Sequence, residues 1–167
     1  IYAMVVHLVP MLRWAGQTAA TAALTAALIG VSALPGRLVL NTLGDRLPRA
    51  SILSALLLVM GLSVAVLTVL HRGGFIFGFA VIYGLGNGCF SPLKATIMAD
   101  YFAGARFGTI LSTQSAIVTL ATATGPALVG TLYDRTGGYQ SGLALIAFCL
   151  FLAGAIVLLT PRLTVRS

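Results

Sequence analysis

Apolar residues fall along this chain in blocks, not in alternation. Between short joints of charged, polar or glycine residues lie apolar runs at about 17–40, 51–70, 75–100, 108–133 and 141–160. Each approaches or exceeds the roughly 20 residues that cross a hydrocarbon core at about 1.5 Å rise per residue. A shorter run over 1–9 ends at Pro10 and is too short to span. It has neither a basic leading region nor a small-residue cleavage site, so it does not read as a signal peptide. Its simplest account is the last few turns of a helix whose beginning lies upstream. The expectation is one partial and five full spans, with the 17–40 run broken near its end by Pro35-Gly36.

Backbone polar groups in lipid must be paired internally, which leaves helices or closed barrels. These runs are too long and too unbroken for barrel strands of about 10 alternating residues. The predicted fold class is therefore all-α, a polytopic transmembrane helix bundle with each span antiparallel to its sequence neighbours.

The spans differ in polar content. Ser112, Ser115, Thr119 and Thr122 recur at steps of three, four and three, which places them on one helical face. Gly84, Asn87, Ser91, Lys94, Met98 and Tyr101 form a second such series, and Thr18, Thr21, Thr25 and Ser32 a weaker third. The 51–70 and 141–160 runs are nearly plain and can face lipid. Three striped and two plain helices suggest a polar cavity or a packed polar seam with the plain helices outside. Small hydroxyl residues and glycines also serve close helix packing, the preferred reading for the Thr18–Ser32 stripe.

Composition removes whole classes. Hydrophobic residues are 59% and charged residues 8%, against about 45–50% and about 25% for soluble domains. The net charge of +7 comes from basic residues scattered singly between apolar runs, with no continuous basic face for nucleic acid. It fits loops and anionic lipid headgroups instead. Arg37, Arg46, Arg49, Lys94, Arg106, Arg162 and Arg166 fall towards one membrane side, and Arg13, Arg72 and Arg135 towards the other. The richer side, with the C-terminus, is expected to be cytoplasmic, and the membrane to be that of the cell. Cys89 and Cys149 lie in apolar runs without a CxxC partner and read as packing residues. There is no intramembrane Asp pair, no Ser/His constellation, no metal-spaced ligand set and no phosphate-cradling loop before a helix, so neither an enzyme nor a cofactor site is expected.

Lys94 is the chain's single lysine. A lysine at the bilayer centre costs about 2.5–3.5 kcal/mol on insertion scales, and one near a helix end can snorkel to the interface. Both readings stay open: an ammonium that meets an anionic solute, or an interfacial anchor. Asn87 and Ser91 share its face. The densest charge lies at 36–49. Asp100 sits near the C-terminal end of its helix, where the dipole disfavours an anion, so a cationic partner is expected among Arg37, Arg46, Arg49 and Arg106. Asp45 could cap the helix that begins near Arg106. Such a cluster would lock cytoplasmic helix ends together in one conformation and release them in another. Static clamping would use the same residues.

These stretches carry a resemblance. Asn41-Thr42-Leu43-Gly44-Asp45-Arg46-Leu47-Pro48-Arg49 resembles the G-x-L-x-D-R-x-G-R loop between the eighth and ninth helices of the major facilitator superfamily. Gly84-Leu85-Gly86-Asn87-Gly88, Asp100-Tyr101-Phe102 with Arg106-Phe107-Gly108, and Gly125-Pro126 running to Gly130-Thr131-Leu132-Tyr133-Asp134 resemble its tenth and eleventh helices. His7-Leu8-Val9-Pro10 is similar to the end of the seventh helix in the monocarboxylate and oxalate/formate-type branch. Asn41 and Pro48 stand where that loop usually has Gly, and the 17–40 run lacks the interior cation that many carboxylate carriers place there.

The resemblance implies that residues 1–167 are the C-terminal six-helix half of a twelve-helix secondary transporter working by alternating access. It implies as partners a small-molecule substrate, an organic anion among the candidates, a co-transported proton or ion, membrane lipid, and an N-terminal six-helix half. The expected cavity residues are Asn87, Ser91, Lys94, Ser112, Ser115, Thr119 and Thr122. The expected cytoplasmic gate is Arg37, Asp45, Arg46, Arg49, Asp100 and Arg106. The alternative is a truncated or degenerate membrane fragment acting as a scaffold without transport.

Overall fold

A computed structural model describes the backbone of residues 1–43, 47–70, 73–102, 104 and 107–159, and the side chains of these except 39–43. Among the described residues there are six helices and no strand: α1 (Tyr2–Trp14), α2 (Ala19–Leu43), α3 (Arg49–Val69), α4 (Phe75–Phe102), α5 (Phe107–Thr136) and α6 (Gln140–Leu159). All but α1 are long and apolar enough to cross a membrane. The chain is an integral, multi-pass, all-α membrane protein.

Two helices differ from expectation at their prolines. α1 continues through Pro10 to Trp14, and α2 passes Pro35 unbroken. A proline removes one N–H, here the donor for the Val6 or Val31 carbonyl. Within a bundle that loss is tolerated because neighbouring helices and side chains re-satisfy freed groups. What ends α1 is Gly16, held at φ +84°, a left-handed conformation that glycine adopts without steric cost. There the Gly16 and Gln17 amides donate to the Arg13 and Leu12 carbonyls.

The bundle is held together at points where glycine admits a neighbour's backbone. A Cβ on Gly84 would stand 2.5 Å from the Ile29 carbonyl oxygen and 2.8 Å from the Ser32 Cβ. Gly88 faces the Ala33 carbonyl and Gly36 the Leu85 carbonyl just as tightly. Residue numbers rise together along this seam, so α2 and α4 run parallel. The Cys89 thiol donates to the Gly36 carbonyl at 2.7 Å. α3 and α6 pack through Gly61 against Phe151 and Gly154 against Leu58, with the Ser54 hydroxyl donating to the Gly154 carbonyl at 2.8 Å. Gly86 meets the Met60 side chain and ties α3 to α4. Met60, Val64, Leu67, Ile76, Ala80 and Tyr83 fill the core between these helices.

α5 stands apart. Val129 is its one buried residue among those described, and it touches α4 only sparingly. Its packed portion lies near its C-terminus, where Gly125 meets Ala3, Gly130 meets His7 and Val129 fits against Gly142. α1 and α5 therefore also form a parallel pair.

Candidate functional site

The α5 stripe is a continuous face with two fates. Ser112, Ser115, Thr119, Thr122, Pro126 and Gly130 follow at helical steps of three or four, so they stand in one row. The Pro126–Gly130 end is covered by α1 through His7. The Ser112–Thr119 part is exposed and Thr122 half-buried. Three of the hydroxyls donate back to their own helix: Ser112 to the Thr109 carbonyl at 3.0 Å, Thr119 to Ser115 at 2.9 Å and Thr122 to Val118 at 2.7 Å. A hydroxyl that has spent its proton in this way still offers acceptor lone pairs. As it stands the row presents acceptors more than donors.

Donors come from α4. Asn87 and Lys94 are half-buried and Ser91 exposed, one or two turns apart on a common face. Lys94 makes no hydrogen bond or ion pair with a described side chain. It lies just beyond Pro92, which denies the Gly88 carbonyl its helical donor. An ammonium with three protons, a carboxamide and a hydroxyl can together satisfy an acceptor-rich solute.

By contrast, the inner part of the Thr18–Ser32 stripe is packing, while Thr18 at its start stays exposed. Thr25 is fully buried with its hydroxyl donating to the Thr21 carbonyl at 2.7 Å, and Ser32 lies against Gly84 in the α2–α4 seam.

Nearer the C-terminal end of α4, Arg49 at the start of α3 donates to the Asp100 carboxylate. This is the cationic partner that the helix dipole called for. Both side chains are nearly two-fifths exposed, so the pair is worth about 0–1 kcal/mol to stability and is cheap to open. Arg37 is exposed near the end of α2. Asp45, Arg46 and Arg106 lie outside the described residues, as do Arg72, Arg162 and Arg166.

One contact was not legible from spacing. His7 Nε2 lies 2.9 Å from the Pro126 carbonyl oxygen, and the imidazole abuts Tyr139, ring centroids 5.7 Å apart. Tyr139 in turn stacks near Tyr133 at 4.5 Å and meets Trp14 edge-on at 6.0 Å. Burial first, then Tyr133 and Asp134, push the Tyr139 hydroxyl's pKa up. The available signal was an ionisable ring within an apolar run, three residues before a proline. An apolar cavity of about 540 Å³ between α3 and α4, lined by Val59, Leu62, Val66, Phe75, Phe79 and Ile82 among others, holds none of these polar residues.

Comparison with known proteins agrees with this architecture. The family model described as Major Facilitator Superfamily matches residues 1–166. Monocarboxylate transporter 13 of Rattus norvegicus is 29% identical over 157 residues, covering 93% of this chain and 36% of the relative. Monocarboxylate transporter 10 of Rattus norvegicus is 27% identical over 140 residues, covering 80% and 26%. Monocarboxylate transporter 10 of Danio rerio is 22% identical over 143 residues, covering 84% and 28%. The chain thus spans about a third or less of the length of these curated relatives.

Proposed function

The chain belongs to the Major Facilitator Superfamily, and on that footing we propose that it forms one wall of a secondary carrier for a small solute, a monocarboxylate before other classes. The observation that carries the reading is the uncovered polar face of α5. A 30-residue membrane helix with an open row of hydroxyls is poorly suited to lipid and well suited to a second wall across a polar space. An N-terminal six-helix half would supply that wall, and alternating access would follow from rocking the two halves about the space between them.

In this reading Lys94 neutralises the carboxylate, Asn87 and Ser91 orient it, and Ser112, Ser115, Thr119 and Thr122 receive its hydroxyl or other donor groups. The names of the relatives support the anionic substrate. The gate is the charged cluster of Arg37, Asp45, Arg46, Arg49, Asp100 and Arg106 at the cytoplasmic side of the cell membrane, and the Arg49–Asp100 pair is weak enough to open in each cycle.

The test is uptake of radiolabelled lactate by the protein in vesicles. Lys94→Gln is expected to lower kcat/KM by about 10- to 100-fold with membrane insertion unchanged. Asp45→Asn and Asp100→Asn are expected to slow turnover. Unchanged uptake in Lys94→Gln removes that residue from the site. An inserted, folded parent protein that moves no monocarboxylate favours the scaffold instead.

A further inference from the structure

Two kinds of glycine line α4. Gly84, Gly86 and Gly88 each admit a neighbour, the first and third the backbone of α2 and the second the Met60 side chain of α3. Gly78, nearer the start of the helix, and Gly74, just before it, have nothing within 4 Å of where a Cβ would stand. A helical glycine is less stable than an alanine in the same place. Close packing accounts for the first group and not for the second.

The space that Gly74 and Gly78 leave belongs to the cavity of about 540 Å³ between α3 and α4. α3 and α4 touch where Gly86 admits Met60, and from there towards the loop that joins them a groove opens. Val59, Leu62, Val66 and Leu70, at helical steps of three or four, form its α3 wall. Its rim lies open, with Leu62 57% and Phe75 59% exposed. Ser63 is the polar side chain of the lining, and its hydroxyl donates to the Met60 carbonyl of its own helix at 2.8 Å. The walls therefore call for a ligand that is apolar along its length.

The dimensions narrow the choice. From Val59 to Leu70 the groove runs about 16 Å at about 1.5 Å per residue, close to half of the roughly 30 Å hydrocarbon core. It begins at the α3–α4 loop, on the membrane surface away from Asp100, and ends near the midplane. That is the reach of one acyl chain of one leaflet. Spread over this length the cavity is about 6 Å wide, against about 10–12 Å for a helix with its side chains, so a partner helix does not fit. The groove is continuous with the exposed apolar surface that the spanning helices turn to lipid. Charge agrees with a phospholipid: in sequence Arg72 stands between Leu70, at the mouth, and Gly73, and a cation at a membrane surface complements a lipid phosphate.

We propose that the α3–α4 groove is a lipid site that holds one acyl chain of a phospholipid, phosphate towards the loop, as a resident part of the fold. The chain occupies the place that Gly74 and Gly78 leave open and props α3 against α4 beyond the Met60–Gly86 contact. The site is separate from the polar faces of α4 and α5 and stands whatever solute the protein carries.

Two measurements on the full chain test it. In the first, protein reconstituted with phosphatidylcholine is extracted in mild detergent and weighed by native mass spectrometry. The parent is expected to keep one phospholipid per chain. Gly78→Phe, which fills the groove from α4, is expected to lower that occupancy about tenfold or more, and Val66→Phe does the same from α3 should Gly78→Phe fail to fold. Leu152→Phe, at an exposed site on α6 outside the groove, is expected to keep the lipid. A parent that retains none, or equal occupancy in parent and groove variants, overturns the proposal, the second result making the lipid merely annular. In the second, Trp14→Phe with Phe75→Trp leaves one tryptophan, at the mouth of the groove. Phosphatidylcholine brominated in its acyl chains is expected to quench it, and after dilution into unbrominated detergent the quenching is expected to last about tenfold longer than in the same protein with Val66→Phe. Immediate loss of quenching overturns the proposal. Displacement by equimolar cholesterol or oleate overturns it as well, and assigns the groove to a sterol or a free fatty acid.

Discussion

Two parallel helix pairs in this molecule share a layout and differ in how they close. In the α2–α4 pair the backbones touch, with Gly36, Gly84 and Gly88 each facing a carbonyl of the other helix and no space for a methyl group. In the α1–α5 pair the corresponding glycines have room: a Cβ on Gly125 would meet Ala3 at 3.7 Å and one on Gly130 would meet His7 at 3.9 Å. A polar bond to a proline carbonyl joins the helices there. The first pair is a weld, because backbone against backbone leaves no rotamer to relax. The second is a joint, because a side chain and a helix break can both adjust. In the transport reading proposed above, the first contact would keep a half rigid and the second would let a wall move.

The largest effect should follow from filling the weld. Gly88→Leu is expected to abolish monodisperse protein in detergent, since overpacking alone costs about 1–3 kcal/mol and a backbone carbonyl cannot yield as a side chain can. Gly78→Ala, where nothing lies within 4 Å, is the control and should be neutral or stabilising by up to about 1 kcal/mol. Equal loss in both variants would show that the α2–α4 seam is no tighter than a generic helix surface.

A smaller effect should separate the two hydroxyl rows. Ser32→Leu, at a site 6% exposed and facing Gly84, should lower thermal stability by about 1–3 kcal/mol. Thr119→Leu, at an exposed position of the open row, should change stability by less than about 0.5 kcal/mol and, in the proposed transport reading, reduce lactate uptake. If Thr119→Leu destabilises as much as Ser32→Leu, the α5 row is a packed seam too.

The smallest effect concerns the end of the joint. Burial first, then Tyr133 and Asp134, hold the Tyr139 pKa above its ordinary value of 10.0. Folded protein therefore keeps that proton after unfolded chain has lost it. Stability is intact below the unfolded value and falls as pH rises through the folded one. Tyr139→Phe should flatten the melting temperature against pH above about pH 10, and an unchanged slope would assign the alkaline loss elsewhere.

Much of this was legible in the chain itself. Apolar run length alone set five spanning helices and the all-α class, because lipid leaves the backbone no other way to pair along a run of some 20 residues. Asp100 near a helix C-terminus announced a cationic partner, and Arg49 fills that role. The prolines misled, since Pro10 and Pro35 look like helix ends and are interior residues. A helix held by its neighbours can continue through a proline at the cost of one hydrogen bond, and local sequence does not report which helices will pack against it.

The two hydroxyl rows mark the boundary most clearly. Thr18, Thr21 and Thr25 have the same spacing as Ser112, Ser115 and Thr119, yet Thr25 is fully buried and the second row is open. Periodicity determines which residues share a face, because it follows from the helix repeat. What that face meets depends on which other helix arrives and how closely its backbone can approach. That decision belongs to Gly84 and Gly88 on α4 in one case and to His7 on α1 in the other, and only the assembled bundle brings them there.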